Sequence, residues 1–520
     1  MLVSRSGHEI NFQVNQVKVQ EILTLKEKLG DQFPSFGILV LSYNAKDFIE
    51  KTIDRIPKEL ETVISEIFVF DDNSPDGTFE IAESLKEESF WKNKLNIYKN
   101  ATNLRYGGNQ KTGYNYAIEK GIDFVIMLHG DGQYAPEYIP DLILPAVKDN
   151  HDVVFASRMI NKKDALKGGM PFYKFVGNQV LTRFENLILG TKLFEFHSGY
   201  RMYSMDVLKR VPFQENTNEF HFDTQIIIQC RALGIDIHEV PIKTYYGDEE
   251  CNVDGFKYAK DVMLTVLEYR LHQLHILRTG KYIVKREVAY KRKKSPNSSH
   301  EKILKYLPNG SGKKIIEFGG GNGNLYQDMI QKGLKVTCID REQTEFSKIP
   351  NEKFIYNDNT SIKDLDLKRE YDYLVLSDNL AQTFNDEEFL KYVKRYMKED
   401  GTAIVVVPNI TIWFYRLSLL FGRFNYGDRG ILDRKNLHFY TKDSNKNLLE
   451  RAGYKIEKVQ YTGLPFEIVF ETVGKSILMK TVDSMYSVMA NLWPSLFAYQ
   501  FIIKAKVLDL NYAAGEGKVN

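Results

Sequence analysis

Residues Met127 to Glu137 read MLHGDGQYAPE, an apolar strand running into a turn that carries one sharply placed carboxylate, Asp131. A carboxylate at a strand end with an amide oxygen two residues on, Gln133, offers hard oxygen donors to a divalent cation, Mg²⁺ or Mn²⁺. Such an ion would hold a diphosphate and offset the charge on a departing nucleotide. His129 precedes Asp131 by two residues. It is either a borderline ligand, better suited to Mn²⁺ than to Mg²⁺, or a neutral contact to a ribose. The competing reading is an ordinary Asp-Gly turn, and on this segment alone it is the simpler one.

Three further clusters suit the same chemistry. VFDDNSPDGT ends a strand in Asp71 and Asp72, which could accept hydrogen bonds from a base or a ribose, or cap the next helix. FASRM and FHSGYRMYS supply Arg158 and Arg201, forks that pair with phosphate oxygens or form structural ion pairs. NEFHFDTQI places Asp223 at a helix start facing the same cleft, as a general base for an acceptor hydroxyl or as a cap.

A separate site lies further along. IIEFGGGNGNL, Ile315 to Leu325, is a glycine turn between a strand and a helix, with Gly319, Gly321 and Gly323 at every second position. A dinucleotide fingerprint needs its third glycine at position 324, which is Asn324. A smaller, neutral-to-cationic ligand therefore fits better than a pyrophosphate, and NAD-dependent oxidoreduction is disfavoured. Glu317 ends the first strand and Asp340 ends KVTCID, a position from which an acid accepts both ribose hydroxyls. Asp358, within the NDN at Asn357 to Asn359, could read an adenine amino group.

The elements that must position these residues alternate. After a polar lead-in helix over residues 1–33, GILVLSY, EIFVFDD, KLNIYKN and FVIMLHGD read as strands. AKDFIEKTIDRI, GTFEIAESLKEE and QKTGYNYAIEKG read as helices between them. Alternation of this kind predicts a mostly parallel sheet covered by helices, with ligands beyond the carboxyl ends of its strands. This first domain spans 34–277. RTGKYIVKREVAYKRKKSPNSSH marks a basic linker, 278–297, read as a solvated connector or as a patch for anionic lipid or phosphate. A second alternation over 298–511 offers seven strands, including KKIIEFGGG, KVTCID, KFIYND, YDYLVLSD, TAIVVVPN, YKIEKVQY and FIIKAKVLD, before a tail at 512–520. The fold class is α/β, in two three-layer domains.

Composition agrees. With 520 residues, 43% of them hydrophobic, the chain can bury two or three cores. A net charge of +2 gives no overall field for nucleic acid. Cys230, Cys251 and Cys338 lack zinc or redox spacing, which suits a reducing compartment. The start lacks a signal-peptide core. AIVVVPNITIWFYRLSLLF is broken by Pro408, Asn409 and Arg416, short of the about 20 uninterrupted apolar residues of a spanning helix. A cytoplasmic location is expected, with any membrane contact peripheral, at the inner face.

FGILVLSYNA, VFDDNSPDGT, NLRYGGNQKTGYNYAI, MLHGDGQYAPE, FASRM, FHSGYRMYS, FHFDTQI and HEVPIKTYY follow the order seen in family 2 glycosyltransferases. The stretch from Phe36 to Leu274 most resembles the polyprenyl-phosphate, dolichyl-phosphate-mannose-synthase-like branch. That resemblance implies a GT-A nucleotide-sugar-binding fold and inverting, metal-dependent transfer from a nucleotide-diphosphosugar to a saccharide or polyprenyl phosphate. It implies donor contacts at Tyr43, Asp71, Asp72, Asn109, Lys111 and Arg158, metal ligands at Asp131, Gln133 and His129, and catalytic roles for Asp131, Asp223 and Arg201. The chain departs from the pattern at Ala45, where an acid is usual, at His129, where an Asp is usual, and at Glu195, where an Asp is usual.

EFGGGNG, CID, YDYLVLSDNL, GTAIVVVPN and GILDRKNLHFYT, between Ser298 and Leu510, resemble the class I S-adenosylmethionine-dependent methyltransferases, a Rossmann-like seven-stranded fold. The implied cofactor sits over Gly319, Gly321 and Gly323 beside Glu317, with Asp340 on the ribose and Asp358 near the adenine. His438 is a candidate contact to the methyl acceptor or a packed core histidine. Together these imply a bifunctional enzyme of glycan assembly. The alternative is a glycosyltransferase whose second domain binds cofactor or glycan without catalysis.

Overall fold

The computed structural model describes residues 2–3, 9–246, 254–273, 276–283, 295–310, 312–319, 323–340, 365, 367–427, 430–466 and 477–508. The chain divides into two compact units, Met1–His272 with Thr279–Arg286, and Gln273–Arg278 with Glu287–Asn520.

Beside a short antiparallel pair, Leu2–Val3 with Glu9–Ile10, the main sheet of the first unit has seven strands among the described residues: β1 (Phe36–Ser42), β2 (Ile64–Asp71), β3 (Leu95–Lys99), β4 (Phe124–His129), β5 (Val153–Ser157), β6 (Arg201–Ser204) and β7 (His238–Pro241). Their order is β3-β2-β1-β4-β6-β5-β7. All neighbours are parallel except β6, which runs antiparallel to β4 and β5. Every residue of β1 is buried, because the sheet is covered on both faces. Ile38 and Val40 point into one core, with Ile49, Trp91 and Leu142. Leu39 and Leu41 point into the other, with Phe68, Tyr114 and Ile227. Each such side chain contributes about 1.5–3 kcal/mol by leaving water. The register aligns Ser42 with Asp71 and Leu41 with His129, so three strands end level at one edge.

Two elements differ from the sequence reading. The lead-in helix, Gln16–Leu29, is no bystander: Val19 and Ile22 are fully buried in the first core, and Lys18 Nζ reaches Asp141 at 2.7 Å. The helix expected from Gln110 begins at Arg105. Gly107 and Gly108 look like loop in sequence, but a Cβ at Gly107 would lie 2.5 Å from the Thr217 carbonyl. These glycines let the helix's first turn approach its neighbour closely.

The second unit holds β8 (Lys314–Phe318), β9 (Lys335–Ile339), β10 (Tyr371–Ser377), β11 (Met397–Pro408), β12 (Tyr454–Thr462) and β13 (Gln500–Val507), in the order β9-β8-β10-β11-β13-β12. β13 is antiparallel to both its neighbours. Six strands are present among the described residues. The seventh, expected in KFIYND, lies outside them, as do Gly321, Cys251 and Asp358. The apolar run at 403–421 forms part of β11 and then the helix Trp413–Leu420. Among the described residues no helix is long and apolar enough to cross a membrane.

Candidate functional site

The carboxyl edge of the first sheet is organised by short polar side chains. Asp71 is fully buried, and its carboxylate accepts the Ser74 N–H at 2.9 Å and the Ser74 hydroxyl at 2.5 Å. Asp72 Oδ1 accepts the Asn100 amide and the Leu104 N–H, both at 2.8 Å. Burial lifts the Asp72 carboxyl above its usual range against those hydrogen bonds. Asn109 joins the network through Asn100 Nδ2 at 2.9 Å. Neither aspartate caps the helix Thr78–Glu88, whose first amide is held by Asp76 at 3.0 Å. Tyr43 is 43% exposed at the end of β1. Ala45, where an acid is usual, is fully buried and donates its N–H to the Thr78 hydroxyl.

Asp131 sits half-buried beyond β4. Its Oδ1 accepts the Gln133 N–H at 3.0 Å, and Gly132 has φ +72°. The Asp-Gly turn is therefore real, and one carboxylate oxygen remains for a further ligand. Among the described residues no three His, Cys, Asp or Glu side chains could hold a metal by themselves. Asp131 fits the other design, a single protein carboxylate completed by substrate phosphates and water. His129 turns away from that arrangement. Its ring meets Tyr106 and Tyr134 edge-on, and its Nε2 lies 3.3 Å from the Tyr106 hydroxyl. A Cβ at Gly199 would come within 2.4 Å of Nε2, so glycine there makes room for the imidazole. Burial holds His129 below its ordinary pKa despite the nearby charges of Asp131 and Asp223.

Behind His129 lies a buried network that includes two residues not singled out from sequence, Tyr106 and Gln110. Tyr106 donates to Asp223 Oδ2 at 3.0 Å, and Gln110 donates to Oδ1 at 3.1 Å. Tyr106 comes from the helix turn that precedes the expected start at Gln110, and Gln110 from that start. Arg201 is fully buried and lies 3.3 Å from Asp223 Oδ1. Its remaining donors go to the carbonyls of Ser198 at 2.6 Å and Phe196 at 2.7 Å. Asp223 does sit in the first turn of the helix Phe222–Leu233.

Arg158 is likewise spent inside the fold. It contacts Glu195 through Nε at 2.8 Å and again through Nη2, and donates to Tyr246 at 2.8 Å. Both expected phosphate forks are thus ion-paired here, because the carboxylates opposite them leave no donor facing outward. Lys111 is tied to the Asn216 carbonyl and to Asn218 Oδ1 rather than to the strand ends. Glu195 is held in turn by Asn178 and by Glu239, which accepts the Phe194 and Glu195 amides at 2.7 and 3.0 Å.

Burial, with the Glu195 charge adding to it, raises Glu239 from 4.5 to about 7. A carboxyl raised in the folded state stabilises most below its unfolded pKa and loses that contribution as pH rises through the folded value. The first unit should therefore lose on the order of 2–3 kcal/mol between pH 4.5 and 7 through this group. Urea titrations at several pH values check this, and Glu239→Gln should flatten that part of the profile.

In the second unit, Gly319 has φ +81° and lies at the carboxyl end of β8. A Cβ there would meet the Asn379 Cβ at 2.9 Å and the Ser377 carbonyl at 3.2 Å. Gly323 begins the helix Asn324–Gln331 in a left-handed conformation. Glu317 is fully buried, and Asp340 is half-buried where β9 ends. A strand that ends just before Gly319, a helix that starts after Gly323 and an acid at the end of the next strand fit a nucleoside-bearing ligand such as S-adenosylmethionine. Gly319→Ala should weaken S-adenosylmethionine binding by about 5- to 150-fold, since the strain and the clash together cost roughly 1–3 kcal/mol. Calorimetry on the full chain measures it. His438 is not a packed core residue. Its ring is about one-third exposed, with Nε2 3.2 Å from the Phe384 carbonyl.

The two units thus define a glycosyltransferase-type domain, with an acidic strand edge, followed by a methyltransferase-type domain with a glycine turn. Sequence comparison agrees: the model for glycosyl transferase family 2 matches residues 37–211, and a methyltransferase domain model matches 288–459. The UDP-N-acetylglucosamine–dolichyl-phosphate N-acetylglucosaminyltransferase of Methanococcus voltae is 30% identical over 218 residues, 40% of this chain and 85% of that one. The undecaprenyl-phosphate mannosyltransferase of Micrococcus luteus is 26% identical over 205 residues, 39% of this chain and 81% of that one. A solved S-adenosylmethionine-dependent methyltransferase of Archaeoglobus fulgidus aligns at 14% identity with a TM-score of 0.29, over 40% of this chain and 92% of that one. The chain belongs to glycosyl transferase family 2 and carries a methyltransferase domain after its glycosyltransferase domain.

Proposed function

We propose that the first unit transfers a sugar from a nucleotide-diphosphosugar to a polyprenyl phosphate or a saccharide, with inversion. The second unit then methylates an oxygen or nitrogen of a glycan from the same pathway. The observation that carries the first half is the level ending of β1, β2 and β4, which gathers Asp72, Asp131 and His129 at one edge above the Asp223 network. The lipid phosphates in the names of the two relatives support a polyprenyl-phosphate acceptor. That acceptor would place the chain at the cytoplasmic face of a membrane, a location the basic sequence at 278–297 suits.

Asp131 and Gln133 would hold Mg²⁺ or Mn²⁺, which when bound supplies positive charge to the departing diphosphate. The chain's own residues do the positioning. Asp72 fixes the loop through Asn100 and Leu104 beside the exposed Tyr43, a surface for the nucleotide base. Gln110, Arg201 and Tyr106 fix Asp223, and Tyr106 holds His129 against this buried network. Arg201 is then a positioning residue. A phosphate acceptor arrives ionised and needs no base, whereas a hydroxyl acceptor must lose its proton to one. In the second unit, Gly319, Gly323 and Asp340 would hold S-adenosylmethionine.

The two halves are tested together by supplying the full chain with a nucleotide-sugar, a polyprenyl phosphate and S-adenosylmethionine labelled in its methyl group. Labelled product that forms only when the nucleotide-sugar is present is the expected result. Sugar transfer with S-adenosylmethionine binding but no methyl transfer would mark the second unit as a non-catalytic module.

A further inference from the structure

The second unit contains a cavity of about 650 Å³ that neither the glycine turn nor His438 accounts for. It opens at the carboxyl edge of the sheet, between the ends of β12 and β13 and the helix Ile477–Leu492. A short chain of contacts joins it to the cofactor cradle. Gln500, on the cavity wall, donates Nε2 to Asp378 Oδ1 and Oδ2 at 2.9 and 2.7 Å. Asp378 stands at the end of β10 with φ +58°, a conformation that costs a non-glycine residue energy. Asn379 follows directly, and it is this side chain that crowds Gly319.

The cavity wall is of two kinds. Leu464, Phe466, Met479 and Tyr499 make it mostly apolar. Asp483, which accepts from Ser295 Oγ at 2.9 Å and Asn297 Nδ2 at 3.2 Å, gives it a fixed polar side. Apolar surface with a few placed hydrogen-bonding groups suits a sugar ring, whose faces are apolar and whose rim is hydroxyl. The adjoining helix and the residue after it also expose apolar side chains: Met485, Leu492 and Trp493 are 65%, 67% and 63% exposed.

We propose that this cavity is the methyl-acceptor site and that it takes an amphipathic glycoside, with the sugar inside and the apolar aglycone at the mouth beside the Ile477–Leu492 helix. The assignment rests on the reading of the second unit as a methyltransferase. In the transfer, a sugar hydroxyl oxygen forms the new bond to the methyl carbon. The methyl–sulfur bond of the sulfonium donor breaks, its electron pair stays on sulfur as a neutral thioether, and the hydroxyl proton passes to water.

The probe is octyl β-D-glucopyranoside below its micellar concentration, with the full chain. Binding is read by saturation-transfer NMR, S-adenosylmethionine binding by calorimetry, and methyl transfer with labelled donor. Ser484 lines the cavity mouth and is exposed, so Ser484→Trp fills the entrance without touching a core. It should weaken glycoside binding at least about tenfold and leave S-adenosylmethionine affinity within about twofold. Unchanged glycoside binding by Ser484→Trp, or a wild type that neither binds nor methylates the glycoside, would overturn the proposal. A wild type that fails to bind S-adenosylmethionine would instead sink the methyltransferase reading beneath it.

Discussion

Asp131→Ala should lower metal-dependent turnover of the nucleotide-diphosphosugar by on the order of 10²–10³, the usual cost of removing a group that stabilises developing charge. The expected loss is large because Asp131 ends β4 with one oxygen in its turn and the other available to a cation. Asp71 spends both oxygens on Ser74, Asp72 accepts Asn100 and Leu104 through a single oxygen to fix its own loop, and His129 faces Tyr106. Asp131 is half-buried on a turn and its only turn bond is to Gln133, so the fold should survive. S-adenosylmethionine binding by the variant should match wild type within about twofold. Loss of sugar turnover and cofactor binding together would contradict two separate sites. Stopped assays with Mg²⁺ and Mn²⁺ series, paired with calorimetry, make the comparison.

The largest effect on stability is expected from Glu195→Ala. Arg158 and Glu195 are 8% and 0% exposed, and Glu195 also receives Asn178 and the Arg158 amide. Burial alone would raise the Glu195 carboxyl, but the Arg158 charge and these hydrogen bonds hold it below its usual range. Removing one partner strands a guanidinium in the interior, at a cost of about 3–5 kcal/mol. The unfolding midpoint of the first unit should fall, while S-adenosylmethionine binding in the second is retained. Adding Arg158→Met should recover part of the loss, since an apolar replacement of both charges removes the stranded one. A double variant as unstable as the single one would show that the ion pair is not the source of the cost.

How far the sequence reached can be seen residue by residue. Strand ends were legible, because an apolar run that stops at an acid reads the same way in sequence and in space; Asp71, Asp131 and Asp340 all sit where strands finish. The role of each acid was not legible, since sequence does not reveal which oxygens are already occupied. Asp71 and Asp131 look alike in their motifs, yet one is consumed by Ser74 and the other keeps an oxygen to spare. The arginines show the same limit: their forks match a phosphate, but Glu195 and Asp223 reach them first. Tyr106 lies within NLRYGGNQ, where two glycines disguise the helix turn that aims it at Asp223. Gln500 and Asp378 are 122 residues apart, and only the antiparallel return of β13 brings them together.

The central claim is that the acidic edge of the first unit moves a sugar from a nucleotide-diphosphosugar onto a lipid phosphate or a saccharide. Mass spectrometry of products formed by the full chain from a panel of UDP- and GDP-sugars, with polyprenyl phosphate and saccharide acceptors and Mg²⁺ or Mn²⁺, tests it most directly. The expected result is one acceptor heavier by one sugar residue, with release of the nucleoside diphosphate and none of that product from Asp131→Ala. A panel in which no acceptor gains mass, or in which Asp131→Ala makes as much product as wild type, would contradict the account.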